Sequence, residues 1–162
     1  HSGMIRRPGE VGLMDQPTRP RKAAACISAL LRINGTEVYI LIDSGSTTNS
    51  MSPEFAHATK APLIRLEDQV TLQLGCVGSR SRINYGTRVE VDFAGIRGYV
   101  YFDQVNLDRY DCILGTPFFN RHGCIIDFGK RELRFPNGKS VPALPIPEEA
   151  ALIVARAANR KP

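Results

Sequence analysis

The sequence predicts an all-β domain, a barrel or a sandwich, with one or two short helices among the strands. Three observations carry that reading. Apolar residues alternate with period two in several short runs, beginning with Ile27, Ala29, Leu31 and Ile33. Turn signals such as Asn34-Gly35, Gly75, Gly78 and Ala94-Gly95 break the runs at short intervals. Few stretches open with residues that start helices.

In chain order, Asn34-Gly35 is the dipeptide of a two-residue hairpin turn. The return run Glu37-Val38-Tyr39-Ile40-Leu41-Ile42 is β-branched and aromatic-rich, and it leads straight into Asp43-Ser44-Gly45. Thr47 to Met51 reads as another strand. Ser52 as N-cap, Pro53 at the first helical position and Glu54 in the first turn predict a short helix to about Ala58. Val70 to Leu74 alternates as a strand, followed by the glycine-flanked polar stretch Gly75 to Arg82. Arg88 to Phe93 and Tyr99 to Phe102 alternate on either side of Ala94-Gly95. Cys112-Ile113-Leu114 is a short apolar strand ended by Gly115, and Pro117 to Arg121 suits a helical turn. Cys124 to Phe128 and Arg131 to Phe135 are the last strands. Val141 to Pro147 reads as a proline-spaced linker, and Glu148 to Asn159, with acids first and arginine later, as a short terminal helix.

With 162 residues, 43% of them hydrophobic, the chain has the composition of one soluble domain. Its formal charge of +5 invites a nucleic-acid reading, so the charge has to be located. Residues 1–22 carry five basic and two acidic side chains, whereas 23–140 carry 13 and 12, and 141–162 three and two. The excess therefore belongs to a flexible basic leader, whose His1-Ser2-Gly3-Met4 reads as the remnant of a cleaved tag. This divides the chain into a leader (1–22), a folded domain (23–140) and a linker with terminal helix (141–162). A nucleic-acid role would have to use the leader and Arg80/Arg82, and none is expected.

No apolar run approaches the roughly 18–20 residues of a membrane span, and no secretory signal is apparent. The expected setting is cytoplasmic, with Cys26, Cys76, Cys112 and Cys124 reduced and the sequon Asn34-Gly35-Thr36 idle. Cys26, Cys112 and Cys124, in apolar runs, read as small core residues. The cysteines form no C-x-x-C pair and no Cys/His spacing of a zinc site, so neither metal nor cofactor is expected.

The chemistry narrows to one carboxylate. No G-x-S-x-G elbow is present, and neither His57 nor His122 has a neighbourhood of a catalytic base. Asp127-Phe128-Gly129 spells a kinase triplet without the rest of the kinase motifs. Asp43 instead stands at the end of an apolar strand on a tight glycine turn, where an unpaired carboxylate is costly. Alone, the triplet also fits an Asp that caps its own turn.

The ordered set of apolar strand, Asp43-Ser44-Gly45, glycine-containing stretch and Ile113-Leu114-Gly115 resembles the retropepsin-like aspartic proteases. The stretch Tyr110 to Phe119, with Ile125-Ile126-Asp127-Phe128 beyond it, looks most like proteases of gypsy-type LTR retrotransposon polyproteins. The resemblance covers roughly residues 24–136. It implies a closed barrel, active as a symmetric homodimer, that cleaves peptide bonds of a polyprotein substrate in the cytoplasm or within virus-like particles, with no membrane.

Aspartic proteolysis needs two carboxylates sharing one proton, because like charges ~3 Å apart cannot both ionise. This chain has one Asp-Ser/Thr-Gly, so Asp43 would have to meet Asp43 of a second copy. The resemblance gives Ser44 a hydrogen bond across the dimer. Gly45 would permit close backbone approach, and a substrate-covering flap would have its tip at Gly75, Cys76, Val77 and Gly78. Retroviral relatives carry an acid and an arginine where Thr47 and Thr116 stand here. That departure motivates an alternative, a catalytically inactive barrel used for dimerisation or protein binding.

Overall fold

The computed structural model describes residues 12–13, 15–18, 25–73 and 80–159. The candidate flap residues Gly75, Cys76, Val77 and Gly78, and most of the leader, lie outside them. Among the described residues, ten strands and three helices follow in order: β1 (Ser28–Ile33), β2 (Thr36–Ile42), β3 (Ser50–Met51), α1 (Pro53–Ala58), β4 (Ile64–Gln73), β5 (Arg80–Phe93), β6 (Ile96–Gln104), β7 (Cys112–Leu114), α2 (Thr116–His122), β8 (Ile125–Asp127), β9 (Glu132–Arg134), β10 (Ser140–Pro142) and α3 (Ile146–Asn159).

Six strands close a barrel in the order β1-β2-β7-β3-β6-β5, and the ring is sealed where Ile33 of β1 pairs with Val91 of β5. β4 extends the sheet outward from β5, and β8, β9 and β10 form a separate antiparallel sheet. That single matched pair closes the ring at one end of β1.

The local chemistry explains the elements. Asn34 (φ 51°) and Gly35 (φ 76°) both take positive φ, as a tight hairpin twisted with its strands requires. Ser52 caps α1 by accepting the Phe55 N–H at 3.1 Å, with Pro53 at the first turn. The inward set Ile27, Ala29, Ile33, Val38, Ile40 and Ile42 forms the core with Val89, Val91 and Phe102. α2 adds Phe118, whose ring lies 6.1 Å from Phe93 and 6.4 Å from Phe135, tying the separate sheet to the barrel. Each such buried ring contributes about 1.5–3 kcal/mol.

Several expectations need correction. Only Ser50 and Met51 of the run Thr47–Met51 form a strand, because the preceding residues satisfy one another's polar groups: Ser46 Oγ donates to Thr48 O at 2.7 Å. Arg80 to Arg82, read with the polar stretch, begin β5, and Val141-Pro142 belongs to β10 rather than to a linker. Cys112 is buried in the core and Cys124, half-buried, packs against it, but Cys26 is exposed and is no core residue. Burial pushes the Cys112 thiol well up and that of Cys124 up to about 11, which keeps both protonated at neutral pH.

Candidate active site

Asp43 is the first residue after β2, and the sheet positions it through the backbone. β2 runs parallel to β7, with Ile40 opposite Cys112, Leu41 opposite Ile113 and Ile42 opposite Leu114. The Asp43 N–H continues that ladder by donating to the Leu114 carbonyl at 3.0 Å. Its side-chain Oδ1 accepts the Gly45 N–H at 2.9 Å, and its carbonyl accepts the Ser46 N–H at 3.2 Å. The turn thus holds the carboxylate in one orientation, as an Asx turn does. Asp43 is half-buried, while Ser44 and Gly45 are exposed. The burial expected from the apolar run stops at Ile42, and the loop faces outward from the barrel.

A second layer braces the loop against β7 and β6. Gly115 is buried, and its N–H donates to Asn49 Oδ1 at 2.9 Å. The Thr116 N–H donates to Ser46 O at 2.9 Å. A Cβ at position 115 would come within 2.5 Å of Thr48 O and 2.6 Å of Ser46 O, so the loop can lie here only because this residue is glycine. Asp103, on β6, accepts Thr48 Oγ1–H at 2.6 Å and the Tyr101 phenol at 2.8 Å. Burial, followed by the Asp103 carboxylate, pushes the Tyr101 phenol up to about 12. Tyr101 in turn needs Gly86, whose Cβ would stand 2.1 Å from the phenolic oxygen.

The structure thus brings Asp43-Ser44-Gly45 and Ile113-Leu114-Gly115 into one hydrogen-bonded unit. The neutral contacts of Asn49, Ser46 and Thr116, with Asp103, brace the loop where the resemblance leads one to look for an ion pair. Thr47 itself is exposed. Asn49, Tyr101 and Asp103 carry no signal in the sequence, because the contacts that tie them to the loop span 52 to 66 residues. His122 stands apart, in a cleft of about 210 Å³ behind the loop, its ring 4.6 Å from Phe118. Among the described residues no cluster of His, Cys, Asp and Glu could hold a metal ion.

The family model of the PEG10/RTL1 protease domain matches residues 39–141, well over half of the chain. The chain belongs to that family. It is a retropepsin-like protease domain of retrotransposon origin, and its match begins within β2 and ends within β10. Among solved structures it is similar to the retroviral protease-like domain of Ddi1 from Leishmania major, at 21% identity and a TM-score of 0.59, over 75% of this chain and 96% of that one. It is also similar to the EIAV protease complexed with the inhibitor HBY-793, at 17% identity and a TM-score of 0.48, over 60% of this chain and 88% of that one. At this identity the Ddi1 domain supports the closed-barrel fold alone. No curated protein sequence matches the chain significantly. No helix among the described residues is long and apolar enough to cross a membrane.

Proposed function

We propose that this PEG10/RTL1-type domain is a homodimeric aspartic endopeptidase in which Asp43 of each subunit supplies half of the catalytic dyad. The observation that carries the reading is the placement of Asp43: its carboxylate is oriented by the Gly45 amide, its backbone N–H is held by the Leu114 carbonyl, and its loop faces out of the barrel. An outward-facing loop allows a second copy to bring its own Asp43 alongside. The paired carboxylates would then share one proton. The ionised member takes a proton from water as it attacks the scissile carbonyl, and the protonated member donates to the developing oxyanion. Ser44 is assigned the hydrogen bond between the two loops, and Gly45 the close backbone approach. Gly75, Cys76, Val77 and Gly78 are assigned to the flap over an extended peptide. The substrate is the polyprotein that carries the domain, in the cytoplasm or an assembled particle, and no cofactor takes part.

The separate sheet supports the dimer. β8 lies at one edge of it, with Ile125 on the strand (57% exposed) and Phe128 in the turn just after it (71% exposed) both in water. An edge strand with exposed apolar side chains is a template for pairing with another chain. The test is cleavage of a peptide library by the purified protein at mildly acidic to neutral pH. The reading expects turnover that pepstatin-like inhibitors block and that Asp43→Ala or Asp43→Asn abolishes. Cleavage that survives either substitution rules out the dyad, and binding of partners without turnover would favour an inactive interaction module.

A further inference from the structure

α3 lies beyond the residues that the family model matches, yet it is fastened to the strand pair that carries Asp43. None of its residues is buried, so apolar packing alone does not hold it. Polar contacts are spaced along it. Just before the helix, the Leu144 N–H donates to Ser28 O at 2.7 Å. In its first turn, Glu149 accepts the Ser28 hydroxyl. Near its far end, the Arg156 guanidinium pairs with Asp111 Oδ1 and lies 5.6 Å over the ring of the fully buried Tyr39. The ion pair is well shielded, with the Asp111 side chain 13% and the Arg156 side chain 28% exposed.

Asp111 is already committed to β2. Its Oδ2 accepts the Tyr39 N–H at 2.9 Å, and its own N–H donates to Tyr39 O at 2.9 Å. These two bonds open the parallel β2–β7 ladder, which ends four residues later at the Asp43 N–H and the Leu114 carbonyl. At a strand rise of about 3.3 Å per residue, the two ends are ~13 Å apart. A short parallel pair of three matched positions has little to fix its register except its ends.

We propose that α3 is a clamp on the β2–β7 pair, with Arg156 a positioning residue that acts through Asp111 on the placement of Asp43. The guanidinium covers Tyr39 and holds one carboxylate oxygen, leaving the other directed at the Tyr39 amide. Release of α3 frees Asp111 to rotate, and the ladder then frays toward the loop. The consequence for catalysis rests on the reading of Asp43 given above, whereas the clamp itself does not.

Two readouts separate them. Amide exchange of the full chain is followed at Tyr39, Asp43 and, as an internal reference, the core residue Phe102. In Arg156→Ala, Tyr39 and Asp43 are expected to exchange about tenfold faster while Phe102 is unchanged. Arg156→Lys restores part of the protection, keeping the charge but losing the planar cover of the ring. Asp111→Asn, which can still accept from Tyr39 but turns donors toward Arg156, reproduces the loss, and the double variant adds nothing further. In peptide cleavage, Arg156→Ala lowers kcat about tenfold with KM little changed. Wild-type exchange rates at Tyr39 and Asp43 in Arg156→Ala, or acceleration shared equally with Phe102, would overturn the clamp. A wild type without peptidase activity removes the catalytic reading and leaves exchange to decide the clamp.

Discussion

The side-chain oxygen of Asn49 accepts the backbone N–H of Gly115 at 2.9 Å, across 66 positions of sequence. Both residues are buried, so this one bond joins the chain leaving the Asp43 loop to the glycine that ends β7. Asn49→Ala leaves the Gly115 amide without its partner and is expected to cost about 2 kcal/mol of stability. Gly115→Ala drives a Cβ into two carbonyl oxygens and is expected to cost ~3 kcal/mol, through displacement of the loop. Urea denaturation of the two variants checks both magnitudes.

Asp103 joins β6 to the same loop, and the chemistry of its two contacts predicts which substitution is tolerated. Asp103→Ala removes the acceptor of the Tyr101 phenol and leaves the Thr48 hydroxyl only the Asn49 carbonyl of its own loop, so the tie to β6 is lost and kcat is expected to fall about tenfold or more. Asp103→Asn can accept from Thr48 and donate to the phenolic oxygen, so most activity is retained. In that variant the Tyr101 phenol titrates lower than its wild-type value of about 12, and stays above the ordinary range because burial is the larger cause. Steady-state kinetics with a spectroscopic phenol titration distinguish the two variants.

Two phenols contribute to the loss of stability at alkaline pH, alongside the raised thiols of Cys112 and Cys124 and the raised phenol of Tyr110. Tyr39 and Tyr101 are each pushed up to about 12 from an ordinary 10.0, in both cases chiefly by burial. Above pH 10.0 the unfolded chain releases these protons while the folded chain keeps them, so the unfolded state gains. The stability they contribute is complete below the unfolded value of 10.0 and is lost as pH rises through about 12. Tyr101→Phe is expected to flatten that decline, as measured by thermal unfolding across the alkaline range.

The edge strand β8 and the turn after it predict a dimerisation defect. Phe128→Asp places a charge where a 71% exposed aromatic now stands, and the dimer is expected to weaken by tenfold or more. Because Phe128 adds nothing buried to the subunit's own core, its melting behaviour as a monomer should stay close to wild type. Sedimentation equilibrium reads the first quantity and calorimetry the second.

Much of the fold is legible because its signals are local. Asn34-Gly35 specifies a hairpin through backbone conformation, Ser52-Pro53 specifies a helix start through capping, and the alternation of Ile27, Ala29 and Ile33 specifies an inward face. Asp43 can be singled out because a carboxylate after an apolar strand is chemically conspicuous. What holds it is not conspicuous. Asn49, Asp103, Asp111 and Arg156 are ordinary polar residues that each reach a partner 45 or more positions away, a distance at which periodicity carries no information. The shortness of β3 has the same origin: Thr47 to Met51 looks like a strand by composition, but the hydroxyls of Ser46 and Thr48 bond to their own loop and to Asp103.

On the proposed function, two copies of Asp43 make one active site. Peptide cleavage by a fixed amount of wild-type protein, with increasing amounts of Asp43→Asn protein, tests it most directly. If each site needs two carboxylates from two subunits, the variant folds, pairs with wild type and drives the rate toward zero as mixed dimers replace active ones. A rate that stays constant as the variant is added, or a variant that cleaves peptides by itself, would contradict the shared site.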